Sequence, residues 1–392
     1  MEFEWWWLLS LPLFFGLGWV AARIDLRQLL SESRALPRSY FKGLDFLLKE
    51  QPDKAIEAFI EVVKVDPQTV ELHFALGNLF RRRGELDRAI RMHQNLAQRE
   101  DLGDEQKLQA LLELGQDYLK AGLLDRAEEV FGKLSDSPHR ETVLRHLLDI
   151  YQQEKDWSKA IAAARNLAER TGHSLQKEIA QFYCELAEGC LLDTDPDGAK
   201  RYLQEALQSH RQCMRATILL GDVAASAGQW AEAINAWKRI ESQDPAYLAL
   251  VAEKLLDAHR ALGKEEDGLR LVRGYLERYP SLDLMDVVFQ TTLAREGAAA
   301  AYRWMRDELR RTPTLLGLDR LLEAQLLEAP LDRRRDLELI RNLVRHHTRN
   351  LALYCCDHCG FKARQFYWRC PACGGWETCP PRRIEEREGV AA

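Results

Sequence analysis

The sequence lacks the signatures of an ordinary enzyme. No P-loop, no HExxH, no GxSxG and no dinucleotide-binding glycine fingerprint occurs in its 392 residues. It also lacks an excess of either charge. The 55 Lys and Arg are interspersed with 61 Asp and Glu, and a net of −6 gives no general drive toward polyanions such as nucleic acid. Glycine (23) and proline (13) are too sparse for a turn-rich β fold. Cysteine is missing from the first 183 residues, so a secreted disulfide framework is not the pattern. What remains is 46% hydrophobic and 30% charged, enough apolar material for two or three packed domains of mainly helical class.

The N-terminus holds one uncharged run. Trp5 to Ala22 reads WWWLLSLPLFFGLGWVAA, 18 residues that as a helix would span roughly 27 Å, close to a hydrocarbon core. Trp5, Trp6, Trp7 and Trp19 sit where interfacial aromatics belong. A cleaved signal peptide would need a basic n-region, but Glu2 and Glu4 precede the run and no Lys or Arg does. Residues 1–22 are therefore expected to be a retained transmembrane anchor. Arg23, Arg27, Arg34 and Arg38 follow it, which predicts an N-terminus outside, a juxtamembrane linker over 23–37 and a cytoplasmic remainder.

Residues 38–347 repeat with a period of 34. Gly43 and Gly77 are one period apart, as are Ala55 and Ala89, and further copies start at Gly115 and Gly221. The recurring residues resemble the tetratricopeptide repeat: Gly43-Phe46-Ala55-Phe59, Gly77-Phe80-Gly84-Ala89, Gly115-Tyr118-Gly122-Ala127-Phe131 and Gly221-Gly228-Ala233-Trp237. Small residues let antiparallel helices approach closely. Gly84, Gly122, Gly228 and Gly263 can take the left-handed conformation that ends a helix, and Pro67, Pro245, Pro280 and Pro313 mark breaks. About nine repeat-sized units fit the span. The first three and the sixth are clear, whereas 282–347 reads as helical with weak repeat identity. GDEQKLQA before the third repeat and TGHSLQKE near residue 175 read as longer connections. Such an array offers a groove to partners. His73, His93, His146 and His259 have no ligand partner one helical turn on and are expected to be structural or surface residues.

The C-terminus carries YCCDHCGFKARQFYWRCPACGGWETCPP. Cys356-x-x-Cys359-Gly360 and Cys370-x-x-Cys373-Gly374 are two knuckles separated by ten residues, the spacing of a closed four-thiolate metal cage. Cys356 is chosen over Cys355 because it alone gives the two-residue spacing to Cys359. Cys355, Cys379 and His358 are expected to stand outside the ligand set. Four thiolates suit iron and zinc alike. Phe361, Phe366, Tyr367, Trp368 and Trp376 are expected to pack the knuckle onto itself and onto the last repeat helices. From residue 354 onward six basic residues meet five acidic ones, too even a balance for phosphate binding.

Anchor, tetratricopeptide array and rubredoxin-like knuckle, in that order, closely resemble the lipopolysaccharide assembly protein B family. The likeness is sharpest at TVELHFALGNLFRRRGELDRAIRMHQNL, QFYCELA, YCCDHCGF and YWRCPAC. The resemblance implies an all-α tetratricopeptide-repeat solenoid with an N-terminal transmembrane helix and a rubredoxin-like domain at 354–381, followed by a flexible tail over 382–392. It implies iron held by Cys356, Cys359, Cys370 and Cys373. It also implies a non-enzymatic adaptor in the inner membrane that restrains lipopolysaccharide synthesis. Such an adaptor would present the deacetylase of the lipid A pathway to the FtsH protease and be counteracted by an inner-membrane regulatory protein. A scaffold gathering synthesis and export proteins, a metal or redox sensor, and a homo-oligomer stay open as alternatives.

Overall fold

The computed structural model describes residues 38–49, 51–65 and 69–388. The expected anchor over 1–22, the linker over 23–37 and Pro67 lie outside them. Among the described residues no helix is long and apolar enough to cross a membrane. Among the described residues the long helices follow one another as nine helix–turn–helix segments, and the chain divides into two compact units, Met1–Ile150 and Tyr151–Ala392.

The first unit contains α1 (Arg38–Leu48), α2 (Pro52–Val65), α3 (Val70–Arg83), α4 (Leu86–Gln98), α5 (Asp104–Lys120), α6 (Leu124–Gly132) and most of α7 (Arg140–Glu154). Its periodic residues have one packing role. A Cβ on Gly43 would lie 2.3 Å from the Phe59 ring, and one on Gly115 would lie 2.5 Å from Phe131. The missing side chain thus makes room for an aromatic on the partner helix. Ala55, Ala89 and Ala127 are wholly buried where the second helix crosses the first. Gly84 and Gly122 end α3 and the turn after α5 at φ +79° and +73°, backbone that a side chain rarely tolerates.

One repeat departs from this scheme. Opposite Gly77 stands His93 in place of an aromatic hydrocarbon, with its Nε2 2.3 Å from where a Cβ would be. His93 is fully buried and its Nδ1 lies 2.5 Å from Asp117 Oδ2. Arg81 donates to Asp117 at 2.9 Å and to Glu113 at 2.5 Å. A polar network from three helices therefore fixes α3, α4 and α5 in register. His146 stacks on Phe131 with ring centroids 5.2 Å apart, and burial lowers its pKa. These two histidines are structural, as the missing i+4 ligand predicts. The segment DEQKLQA is no connection: it is the first part of α5, entered from Gly103. The polar residues that suggested a loop form the exposed and half-buried side of its first turns.

The second unit continues with α8 (Trp157–Thr171), α9 (Gln176–Leu192), α10 (Pro196–Ser209), α11 (Met214–Ser226), α12 (Trp230–Lys238) and the short α13 (Ile240–Gln243). After a 3₁₀ segment (Pro245–Leu250) come α14 (Ala252–Ala261), α15 (Glu265–Arg278), α16 (Leu282–Glu296), α17 (Ala298–Arg311), α18 (Leu315–Glu328) and α19 (Leu331–Thr348). Asp156 and Asp195 accept from the backbone N–H groups of Lys159 and Gly198, capping α8 and α10. Gly221 admits Trp237, whose indole N–H donates to the Ile218 carbonyl at 3.1 Å. Of TGHSLQKE, only Gly172–Leu175 is a connection, because α9 already begins at Gln176. The weak repeat identity after residue 282 has a physical reason. Gly317 faces Leu309 and Met285 here, so the glycine–aromatic signature is replaced by aliphatic packing.

After α19 come β1 (Tyr354–Cys355) and β2 (Lys362–Ala363), paired antiparallel with Tyr354 opposite Ala363. The described residues then end in α20 (Ile384–Glu388), and 389–392 of the expected tail lie outside them. Residues 382–388, expected as part of a flexible tail, are ordered by specific bonds. Arg383 pairs with Asp283 at 2.8 Å, Glu386 accepts from the Leu282 N–H at 2.8 Å, and Glu385 accepts from the N–H groups of Leu315 and Leu316. Two adjacent carboxylates thereby cap the N-termini of α16 and α18.

Candidate metal centre

Each CxxC is a tight turn closed by the same pair of backbone bonds. Cys356 N–H donates to Phe361 O at 2.9 Å and Gly360 N–H to Cys356 O at 3.0 Å. In the second turn Cys370 N–H donates to Gly375 O and Gly374 N–H to Cys370 O, both at 2.8 Å. Gly360 and Gly374 take φ +74° and +71°, which only glycine adopts without strain. The two turns face each other and bring four sulfurs together. Cys356 and Cys373 Sγ are 3.8 Å apart, Cys359 and Cys370 Sγ 3.7 Å, and all four lie within 4.8 Å of one another. A tetrahedral ion with metal–sulfur bonds of about 2.3 Å needs sulfurs about 3.8 Å apart. The donor set therefore fits one four-coordinate ion and leaves no open position for a substrate.

The thiols are arranged to ionise unequally. Burial opposes charge on Cys356, but the Thr378 hydroxyl and the backbone N–H groups of Cys359 and His358 outweigh it, and its pKa falls to about 6. Cys370 is lowered too, with burial opposed by the N–H groups of Cys373 and Ala372. Cys359 has the Phe361 N–H in its favour. Burial and the other three thiols prevail, however, and raise it to about 12. Four sulfurs this close cannot all carry charge without a cation among them.

The remaining candidates stand apart, as expected. Cys355 Sγ turns to the Cys356 carbonyl at 3.7 Å, and His358 is exposed. Cys379 is buried against Cys356 and Cys370, and burial followed by their charge pushes its thiol to about 12. It walls the cage without sharing the common centre.

The aromatic residues of the knuckle serve a purpose the sequence did not reveal. Phe361 packs on the cysteines and Phe366 on Trp368 and Tyr354, as expected of a knuckle folded onto itself, but Phe366, Trp368 and Trp376 reach the middle of the repeats and not chiefly the last helices. Trp376 sits edge-on between Trp157 of α8 and Phe182 of α9, at 6.2 and 6.0 Å, and donates its indole N–H to the Gln152 side chain at 3.2 Å. Trp368 stacks on Tyr247 at 5.4 Å, with Phe366 edge-on to both. Glu377 accepts from Gln181 at 2.6 Å while its backbone is held at φ +54°. Burial raises the pKa of Glu377, an effect that Gln181 partly offsets. Beneath Trp376 the buried Arg215 pairs with Glu185 and Glu188 at 2.8 Å. Tyr354 donates to Asp283 of α16 at 2.7 Å. Gln152, Trp157, Gln181, Phe182, Tyr247 and Asp283 thus form a seat for the knuckle. Gln181 and Phe182 lie in QFYCELA, where the family likeness is sharp, but nothing in the sequence said that this segment or the other four residues receive the knuckle.

Comparison with known proteins agrees with both halves of this description. Residues 354–381 match the family model described as "Rubredoxin metal binding domain", and residues 42–105 and 193–247 match the tetratricopeptide repeat. The chain is 37% identical over 378 residues to lipopolysaccharide assembly protein B of Escherichia coli strain K12, covering 96% of this chain and 97% of that one. It is 31% identical over 394 residues to the protein of the same name from Haemophilus influenzae, covering 96% and 98%. Repeat residues, cysteine knuckles and near-complete coverage at this identity together lead to one conclusion: the chain belongs to the lipopolysaccharide assembly protein B family.

Proposed function

We propose that this protein is a membrane-tethered adaptor in lipopolysaccharide assembly, which uses its helical repeats as a docking surface and performs no chemistry of its own. The single observation that carries the reading is the seated knuckle. A four-thiolate turn pair with no open coordination position bridges α8, α9, the 3₁₀ segment and α16, so a bound ion acts as a structural fastener. In the fuller reading, the repeats hold the deacetylase of the lipid A pathway and present it to an FtsH-type membrane protease, while an inner-membrane regulatory protein opposes this. The bilayer anchor over residues 1–22 keeps the adaptor in the plane of the protease, which raises effective concentration without new contacts. The N-terminus is then periplasmic and the repeats cytoplasmic, where a reducing environment keeps thiolates available.

The test is the half-life of the deacetylase in cells. Deleting residues 1–22 should lengthen it while the repeats stay folded. An unchanged half-life with the truncated chain in place of the full one would defeat the tether argument. A scaffold without the protease would show synthesis and export proteins co-purifying equally in cells with and without the protease. A sensor reading is favoured by one feature, that the cage sits against the repeats and could transmit its loading. Iron and zinc forms of the chain should then differ in deacetylase turnover, and equal turnover removes that reading.

A further inference from the structure

Two thiols outside the cage touch each other. Cys184 lies in the middle of α9 and Cys213 immediately before α11, and their Sγ atoms are 3.9 Å apart. Both are fully buried. Buried cysteines are ordinarily inert packing residues. This pair has polar surroundings that packing alone does not need. Gln181 Nε2 donates to Cys213 Sγ at 3.7 Å. The buried Arg215 stands two residues on from Cys213, paired with Glu185 and Glu188. Cys213 also occupies the N-cap position of α11, where free backbone N–H groups favour negative charge.

These surroundings ionise the two sulfurs unequally. Burial pushes the Cys184 thiol up. Cys213 is held below the ordinary thiol range, first by the hydrogen bond from Cys184 and then, against burial, by the Ala216 N–H and the Arg215 charge. A sulfur that ionises readily beside one that keeps its proton is the arrangement of an attacking and a resolving cysteine. The two need to approach by only about 1.9 Å to reach the length of a disulfide bond. The knuckle lies over the polar side of the pair. Gln181, which holds Cys213, donates from the same nitrogen to Glu377 at 2.6 Å, and the Trp376 ring lies 5.8 Å from the Arg215 guanidinium.

We propose that Cys184 and Cys213 are a modification site, a dithiol that a peroxide oxidises to a disulfide, and that the seated knuckle guards it. The proposal does not depend on the adaptor reading. The Cys213 thiolate attacks one peroxide oxygen, the O–O bond breaks, and the leaving hydroxide takes up the proton that Cys213 released. Cys213 is then a sulfenic acid. Cys184 attacks its sulfur, the S–S bond forms, the S–O bond breaks, and a second water leaves with the proton of Cys184. Two thiols thereby give two electrons to one peroxide and yield one disulfide and two waters.

The test treats the purified, metal-loaded full-length chain with hydrogen peroxide, followed by alkylation, trypsin and mass spectrometry. The expected product links the peptide 178–200, which holds Cys184 and Cys190, to the peptide 212–215, which holds Cys213, with fragmentation placing the bond at Cys184. Dithiothreitol should release both peptides. In Cys184→Ser the link should vanish and dimedone should trap the sulfenic acid on Cys213. Trp376→Ala should speed the linkage by at least about tenfold at unchanged metal content, because loosening the seat makes opening easier. Alkylation of the half-buried Cys190 should not change, which separates opening of the seat from general loosening. Four results would overturn the proposal. They are no linkage in parent and Trp376→Ala alike, a link that falls on Cys190, an unreacted Cys213 in Cys184→Ser, or a Trp376→Ala rate that equals the parent's or rises only in step with Cys190 alkylation.

Discussion

The two units are built from the same repeat but held together over different distances. In the first, the side-chain network that ties helices together reaches the next repeat: Arg81 meets Glu113 and Asp117, 32 and 36 residues on. In the second, Gln181 bonds Glu377 across 196 residues, Gln152 meets Trp376 across 224, and Arg383 bonds Asp283 across 100. Nearest-neighbour stacking gives stability that adds up unit by unit and can be lost unit by unit. Long-range ties make the loss of one part felt in another. The second unit is therefore expected to respond to its metal as a whole, and the first to be indifferent to it.

Removing a ligand should break this contrast most severely. Cys356→Ser or Cys370→Ser is expected to abolish one-to-one metal content and to destabilise the second unit by several kcal/mol. Metal analysis and hydrogen exchange check this, with faster exchange in α8, α9 and α16 and unchanged exchange in α3 to α5. Cys355→Ser should leave metal content intact, and a loss there would shift the ligand register.

Next in size is the wedge itself. Trp376→Ala removes the ring between Trp157 and Phe182 and should cost about 2–3 kcal/mol, less than a wholly buried Trp because this one is half-buried. The four thiolates are untouched, so metal content should stay at one while exchange in α8 and α9 rises. Equal exchange in variant and parent would mean that the knuckle does not brace these helices.

The counterpart in the first unit is His93→Phe. It restores the aromatic that the other repeats carry, yet strips buried Asp117 of one partner, and should destabilise by about 1–3 kcal/mol. Chemical denaturation followed by exchange in α3 to α5 reads the effect, and metal content should not change.

The smallest expected effect is one of pH. Burial raises the pKa of Glu377 in the folded chain above its ordinary value of 4.5. The folded state thus binds the proton more readily than the unfolded one. Glu377 then contributes stability that is full below pH 4.5 and is lost as pH rises through the folded value. Glu377→Gln keeps an acceptor for Gln181 and removes this dependence. Thermal melts of the variant should vary less with pH above 4.5 than those of the parent, and identical profiles would remove Glu377 as the cause.

Legibility in the sequence followed the reach of the forces. The glycine–aromatic crossings at Gly43–Phe59, Gly115–Phe131 and Gly221–Trp237 recur at one spacing, because the two helices meet within a single hairpin. The CxxC turns are equally local, since each sets two sulfurs and one positive-φ glycine within five residues. DEQKLQA was misread because polar composition outweighed helical spacing. The role of the seat was not legible, even where QFYCELA marked Gln181 and Phe182, because its members from Gln152 to Asp283 are made special only by what returns to them from the C-terminus.

By itself, then, the sequence determined which helices pair and which four sulfurs can share a centre, because both depend on short chain separations and on residues with few conformational alternatives. Only the tertiary structure decided where the knuckle lodges and that Glu385 and Glu386 cap two distant helices. Those outcomes depend on the accumulated geometry of many stacked helices, in which each small rotation changes what a distant segment can reach.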